Sequence, residues 1–167
     1  MSFDIVDANV LAGEATDAHK SSGVKPIVRT ITFETEAADA AGDIKALFRV
    51  GAHEIPVEGW LISDAIAGAT DINVRLYRDS EADADENALA DALDPSAGIA
   101  FASRLDILAA LGVEERGIKT FYDIVNDVVA GDVVGALPND SYWVCLTLVS
   151  EVSAAGTVTV SLTTLGR

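Results

Sequence analysis

Apolar and polar residues alternate with a period of two along much of this chain, the pattern of strands that bury one face. From Pro26, Ile27, Ile31 and Phe33 share one face, and Arg29 interrupts it. After an acidic, Ala-rich loop over 34–42, residues 43–50 set Ile44, Ala46, Phe48 and Val50 against Lys45 and Arg49, and Gly51 ends the run. A third strand covers 55–63, where Pro56 removes a ladder donor and implies an edge position or a place among the strand's first residues. The turn GATD at 68–71 leads into a fourth strand, 72–78, in which Ile72, Val74 and Leu76 alternate with Asp71, Asn73 and Arg75. Residues 62–78 therefore read as a two-strand antiparallel unit. Residues 142–150 are nearly continuously apolar, as in a central strand. In 157–165, Val158, Val160 and Leu162 alternate with Thr157, Thr159 and Ser161, and the linker 153–156 predicts that these last two strands form a hairpin.

Three stretches carry a different spacing. Asn87 to Leu93 reads as a short helix ahead of Pro95. Ser103 is placed to cap a helix through Leu105, Leu108 and Leu111 to Gly112. Gly117 to Val129 has an apolar stripe at Ile118, Phe121, Ile124, Val125 and Val128 with helical spacing. Gly131 to Asp140, with Gly135 and Pro138, reads as a loop. Six strands interrupted by helical segments predict a mainly β protein, an antiparallel β-sandwich with one or two short helices inserted between strands, of which a jelly roll is one arrangement. Residues 1–25 read as an N-terminal arm and linker, and 26–167 as the sandwich domain. The arm carries Phe3, Ile5, Val6, Val10 and Leu11, followed by a polar stretch punctuated by Gly23 and Pro26. A merely disordered arm has no need of five large apolar residues, whereas one that packs on its own core or on a neighbouring chain does.

Charge narrows the partners. Eleven basic against 27 acidic residues give a formal net charge of −16, a field that repels phosphate backbones and anionic lipid surfaces. No nucleic acid and no membrane is expected as a partner, and no apolar run reaches the roughly 18 residues of a membrane-spanning helix. The N-terminus, Met1-Ser2-Phe3-Asp4, lacks the basic and apolar regions of a secretory signal, so synthesis in a cytoplasm is expected. Half of the residues are hydrophobic but only 6% are aromatic, which suits a core of small and branched side chains packed between sheets.

No motif builds a reactive centre. Aligning Asp79, Glu81 and Asp83 with the first ligands of an EF-hand loop puts Ala84 where the turn requires Gly and Ala90 where the bidentate Glu belongs. His19 and His53 are the two histidines; His53 and the adjacent Glu54 would point to opposite faces of an extended chain, which argues against an acid/base pair. No serine lies in a Gly-x-Ser-x-Gly elbow, and neither a Walker loop nor a dinucleotide fingerprint follows a strand. Cys145 is the single cysteine and sits in an apolar strand, where a buried structural thiol is expected. No catalytic residue, metal site or cofactor is assigned. Trp60, Tyr77, Tyr142 and Trp143 would make a carbohydrate platform if they surfaced on one sheet face, although their place in apolar patterns favours packing. Lys45, Arg49, Arg75 and Arg78, on strands expected to be neighbours, would form a local positive patch for an acidic partner or pair with the chain's own carboxylates.

The segment SDAIAGATDINVRLYR (63–78), preceded by LFRVGAHEIP (47–56) and followed by an acidic stretch with LADAL (89–93), resembles small structural proteins that tailed bacteriophages encode near their major capsid genes. The C-terminal YWVCLTL (142–148) and GTVTVSL (156–162) are similar too, so the resemblance spans roughly 43–165. It implies a virion protein, a head decoration or cement protein on the capsid exterior, whose partners are the major capsid protein and neighbouring copies of itself. The arm residues Phe3, Ile5, Val6, Val10 and Leu11, with Arg75 and Arg78, are the candidate contact residues. Competing readings are a phage tail or head-tail connector component and a carbohydrate-binding β-sandwich module.

Overall fold

The computed structural model describes residues 4–5, 25–78, 87–112, 115–127 and 141–166. Among the described residues there are nine strands: β1 (Asp4–Ile5), β2 (Lys25–Thr35), β3 (Ile44–Gly51), β4 (Ile55–Ser63), β5 (Ile72–Arg78), β6 (Asn87–Leu93), β7 (Leu105–Asp106), β8 (Ser141–Leu148) and β9 (Gly156–Gly166). One short helix, α1, covers Phe121–Asp127. The strands form two sheets, ordered β1-β3-β8-β5-β6 and β2-β9-β4-β7, called here the β8 sheet and the β9 sheet. Every pairing is antiparallel except that of β1, which runs parallel along the edge of β3 with Asp4 level with Lys45 and Ile5 level with Ala46.

The pairings are nested. β5 pairs with β6, β4 with β7, β3 with β8 and β2 with β9, so β2 to β9 form one long hairpin. That hairpin is rolled until β4 also meets β9 and β5 also meets β8. This is the eight-stranded jelly roll. The expected β-sandwich is therefore present, with consecutive strands crossing from one sheet to the other at most connections. The two hairpins expected from the sequence are not formed: β4 and β5 lie in different sheets, and so do β8 and β9. A period of two says which side chains face the core but not which strand lies alongside.

Interlocked arches replace those hairpins. Ser153 N–H donates to Ala67 O (2.8 Å), Val149 N–H to Asp71 O (3.0 Å) and Val152 N–H to Asp39 O (3.0 Å). The β8–β9 connection is thus pinned to the β4–β5 and β2–β3 connections. Gly68 allows the closest approach: its φ is +90°, and a Cβ there would lie 2.4 Å from Glu151 O. Gly42 has a similar φ of +93° but open space around it.

The core between the sheets is built from Ile31 and Phe33 of β2, Leu47, Phe48 and Val50 of β3, Val144, Leu146 and Leu148 of β8, and Val158, Val160 and Leu162 of β9. Leu47 is the extra residue of a bulge opposite β8, which keeps it and Phe48 in the same core.

Two of the three expected helices are replaced. Residues 87–93 form β6: Ala and Leu favour helix intrinsically, but pairing with β5 buries Leu89, Ala90 and Leu93, and tertiary burial outweighs propensity. The strand is irregular, with two register shifts against β5 and Ala92 at φ 55°, its N–H donated to Asn73 Oδ1 at 3.0 Å. Residues 103–112 are not helical either. A 3₁₀ turn over Phe101–Ser103 precedes β7, and Asp106 Oδ1 accepts the N–H of Leu108 at 2.9 Å, a side-chain bond that competes with helix. The third helix starts later than Gly117. Thr120 caps α1 by exchanging bonds with Asp123, whose N–H reaches Thr120 Oγ1 (3.1 Å) while Asp123 Oδ2 accepts Thr120 N–H (3.0 Å). Ile118 is left 65% exposed, outside the stripe assigned to it. Val128, Val129 and the loop expected over 131–140 lie outside the described residues.

The glycines separate two costs. Gly68→Ala should destabilise the fold by about 3 kcal/mol or more, because left-handed strain adds to a backbone collision, whereas Gly42→Ala should cost only about 1 to 2 kcal/mol of strain. Urea denaturation of both variants measures the difference.

Candidate interaction surface

The residues expected to carry contacts are dispersed. Phe3, Val6, Val10 and Leu11 lie outside the described residues, as do Asp79, Glu81 and Asp83 of the acidic segment. Ile5 is in β1, on the edge of the β8 sheet. Arg78 ends β5, level with Tyr142. Arg75 is level with Cys145 and forms a 3.5 Å ion pair with Asp91 of β6.

The expected positive patch of Lys45, Arg49, Arg75 and Arg78 does not assemble as one surface. Lys45 is buried, its Nζ 2.8 Å from the equally buried carboxylate of Asp39. Arg49 lies over the Trp143 ring at 6.0 Å and donates to Ser141 Oγ at 2.9 Å. Lys45 was read as outward-facing because it alternates with Ile44 and Ala46. The reversal has a physical reason: Ile44 and Ala46 belong to a second apolar cluster, with Tyr77, Trp143 and Cys145, on the outer face of the β8 sheet. That sheet is apolar on both sides, so alternation along β3 does not separate core from solvent.

Arg29, the charge that interrupts the β2 stripe, shares the inward face with Ile31 and Phe33. It makes a two-pronged pair with Glu54, both N···O distances 2.8 Å, and also donates to Thr164 Oγ1 at 3.1 Å. Thr164 in turn donates to Glu54 Oε2, and Glu54 Oε1 accepts Gly51 N–H at 2.8 Å. The network ties the β3–β4 turn to β2 and β9. Glu54 is thereby committed to structure, while the neighbouring His53 is exposed. The two-pronged Arg29–Glu54 contact is the strong kind of ion pair, and the single buried Lys45–Asp39 contact ties β3 to the β2–β3 connection at the opposite end of the sandwich.

The four aromatics do not share a platform. Tyr77, Tyr142 and Trp143 are buried, Tyr142 with its neighbours in the main core region and the other two in the outer cluster. Burial of Cys145 pushes its thiol pKa well above the ordinary value, which leaves it protonated and inert. Among the described residues no group of three or more His, Cys, Asp or Glu is placed to hold a metal ion.

Trp60 alone of the four faces the outside of the β9 sheet, level with Ser161. That face is mostly a rack of hydroxyls: Thr30 bonds Ser161 (3.0 Å), Thr32 bonds Thr159 (2.8 Å) and Thr157 donates to Glu34 (2.7 Å). Over one side of it stands the Phe101–Ser103 turn. Phe101 meets Trp60 edge-on, with ring centroids 5.5 Å apart and planes at 84°. The Arg104 guanidinium lies 5.1 Å from the Phe101 ring centre and 3.1 Å from Glu58 Oε1. Ser63 and Ile99 exchange backbone bonds of 3.1 and 2.8 Å that hold this turn to the end of β4. Sequence reasoning missed Phe101 and Arg104; the available signal was a lone aromatic followed closely by a basic residue in a run of small residues at 96–104.

The described residues thus form an eight-stranded jelly roll with one sheet buried on both faces around β8 and one sheet whose outer face carries hydroxyls and Trp60. Comparison with solved structures agrees on the fold. A chain of the capsid of Ralstonia phage GP4 matches with a TM-score of 0.62 and 16% identity over 99% of this chain and 99% of that chain. A chain of the cyanophage Pam1 capsid asymmetric unit matches with a TM-score of 0.43 and 13% identity over 93% of this chain and 96% of that one. No family model and no curated protein matches the sequence.

The Arg29–Glu54–Thr164 network should dominate stability at its end of the sandwich. Glu54→Ala, which strands Arg29, should cost about 3 to 5 kcal/mol, and Arg29→Met combined with Glu54→Leu should recover most of it. Thermal unfolding of the single and double variants checks this.

Proposed function

We propose that this chain is a structural protein of a tailed-phage virion, a head decoration or cement protein that binds the outside of the major capsid protein lattice and stabilises the shell. The observation that carries the reading is the end-to-end fold likeness to a chain of a phage capsid, 99% of both chains. It supports a capsid role for the same jelly roll, and the sequence resemblance to small phage head proteins points in the same direction.

The physical properties fit that role. A net charge of −16 keeps free copies apart and soluble before assembly and opposes contact with packaged DNA. On a symmetric shell, weak contacts repeated at many equivalent positions add up without any single strong site. Interlocked arches, a buried Lys45–Asp39 pair and a part-buried Arg29–Glu54 pair at the opposite end give a rigid body, so binding to the shell orders few additional groups.

Copy number distinguishes the cement role from a tail or connector role. In a stained gel of purified virions this protein should appear in an amount comparable to the major capsid protein. A trace band, as from one ring at a single vertex, would favour the connector reading instead.

A further inference from the structure

Five large hydrophobic residues are exposed among the described residues: Val28 (58%), Val57 (37%), Phe101 (59%), Ile118 (65%) and Val149 (44%). Val28 lies on the outward side of β2, Val57 is the bulged residue of β4 beside Glu58, and Phe101 stands over β4 against Trp60. Three of the five thus belong to the β9 sheet side, while Ile118 and Val149 sit in connections at opposite ends of the sandwich. Beside Phe101 runs a groove of ≈470 Å³, lined among others by Ile62, Ser63, Ile99 and Thr159. The Ser63 hydroxyl oxygen is buried with no hydrogen-bond partner among the described residues.

Trp, Phe and Arg grouped next to a recess is the composition of the energetic centre of a protein interface. Carboxylates stand in and around this patch: Asp64 lines the groove, Glu34 bonds Thr157 at its edge, Glu58 bonds Arg104, and Asp106 is level with Trp60. Arg104 pairs with Glu58, and Arg116 with Asp106 at 2.7 Å. That rim, on a chain of net charge −16, opposes a second copy in the same orientation, since like charges brought face to face suppress association. A stacked sugar fits less well, because the Arg104 guanidinium already lies over the Phe101 ring.

We infer that the outer face of the β9 sheet, centred on Phe101, docks a protein surface that presents an apolar side chain to the groove, with lysine and arginine around it. This rests on the capsid reading, within which the partner is a subunit of the shell.

The experiment adds purified full-length protein to capsids of its phage assembled without it, and measures copies bound. Phe101→Asp tests the patch, and Ile118→Asp, which alters an equally exposed residue at one end of the sandwich, controls for surface change. Protection of the Cys145 thiol from a thiol reagent reports that each variant is folded. Wild type and Ile118→Asp should bind alike, Phe101→Asp at least about tenfold more weakly, and wild-type binding should fall as salt is raised from about 0.05 M to about 0.5 M. Equal binding by folded Phe101→Asp and wild type overturns this face while leaving the capsid reading intact. Wild type that does not bind at all overturns the capsid reading and the partner with it. Release of bound wild type by the neutral sugars maltohexaose or cellohexaose overturns the protein partner in favour of a glycan.

Discussion

The strand on which the rest depends is β8. It lies at the centre of its sheet between β3 and β5, with Val144, Leu146 and Leu148 turned to the core and Trp143 and Cys145 to the opposite side, all of them buried. A strand apolar on both faces can only be central. Once β8 is central, its nested pairing with β3 and the further contact with β5 require the long hairpin to roll, and the second sheet follows from β9 taking the equivalent place between β2 and β4.

That placement makes the two sheets unequal. The β8 sheet is apolar on both sides, and its outer cluster of Ile44, Ala46, Tyr77, Trp143 and Cys145 is already covered. The β9 sheet carries hydroxyl pairs and Trp60 on its outer face, and Phe101 of the neighbouring turn packs edge-on against Trp60. The two large ionic contacts, Arg29–Glu54 and Lys45–Asp39, are spent inside the sandwich and hold turns to strands. Arranged in this way, the described residues form a body whose turns are held to its strands and whose two sheets differ in the surface they present.

Six strands were legible in the sequence because each carries a run of apolar residues, alternating or continuous, bounded by turn residues, even where a bulge in β3 or β4 breaks the period. The anomaly of Arg29 was legible too, though its partner was not, since Glu54 is 25 positions away and reaches it only after the sheets are stacked. β6 was hidden because LADAL spells a helix locally and becomes a strand only through β5. β7, two residues long, carries no period at all. The alternation in β3 misplaced Lys45 because both faces of its sheet are buried. Strand order lay beyond reach for the same reason that the hairpins were misassigned: an arch between sheets and a turn within a sheet use the same small residues. The surface around Phe101 escaped because its residues come from β2, β4, β9 and a turn, and only the rolled hairpin brings them together.

A cryo-electron reconstruction of the virion tests the central claim most directly. The account predicts jelly-roll density repeated over the outer surface of the shell, with the β9 sheet turned towards the capsid subunits. Jelly-roll density confined to the tail or to one vertex, or absent from the particle, would contradict it.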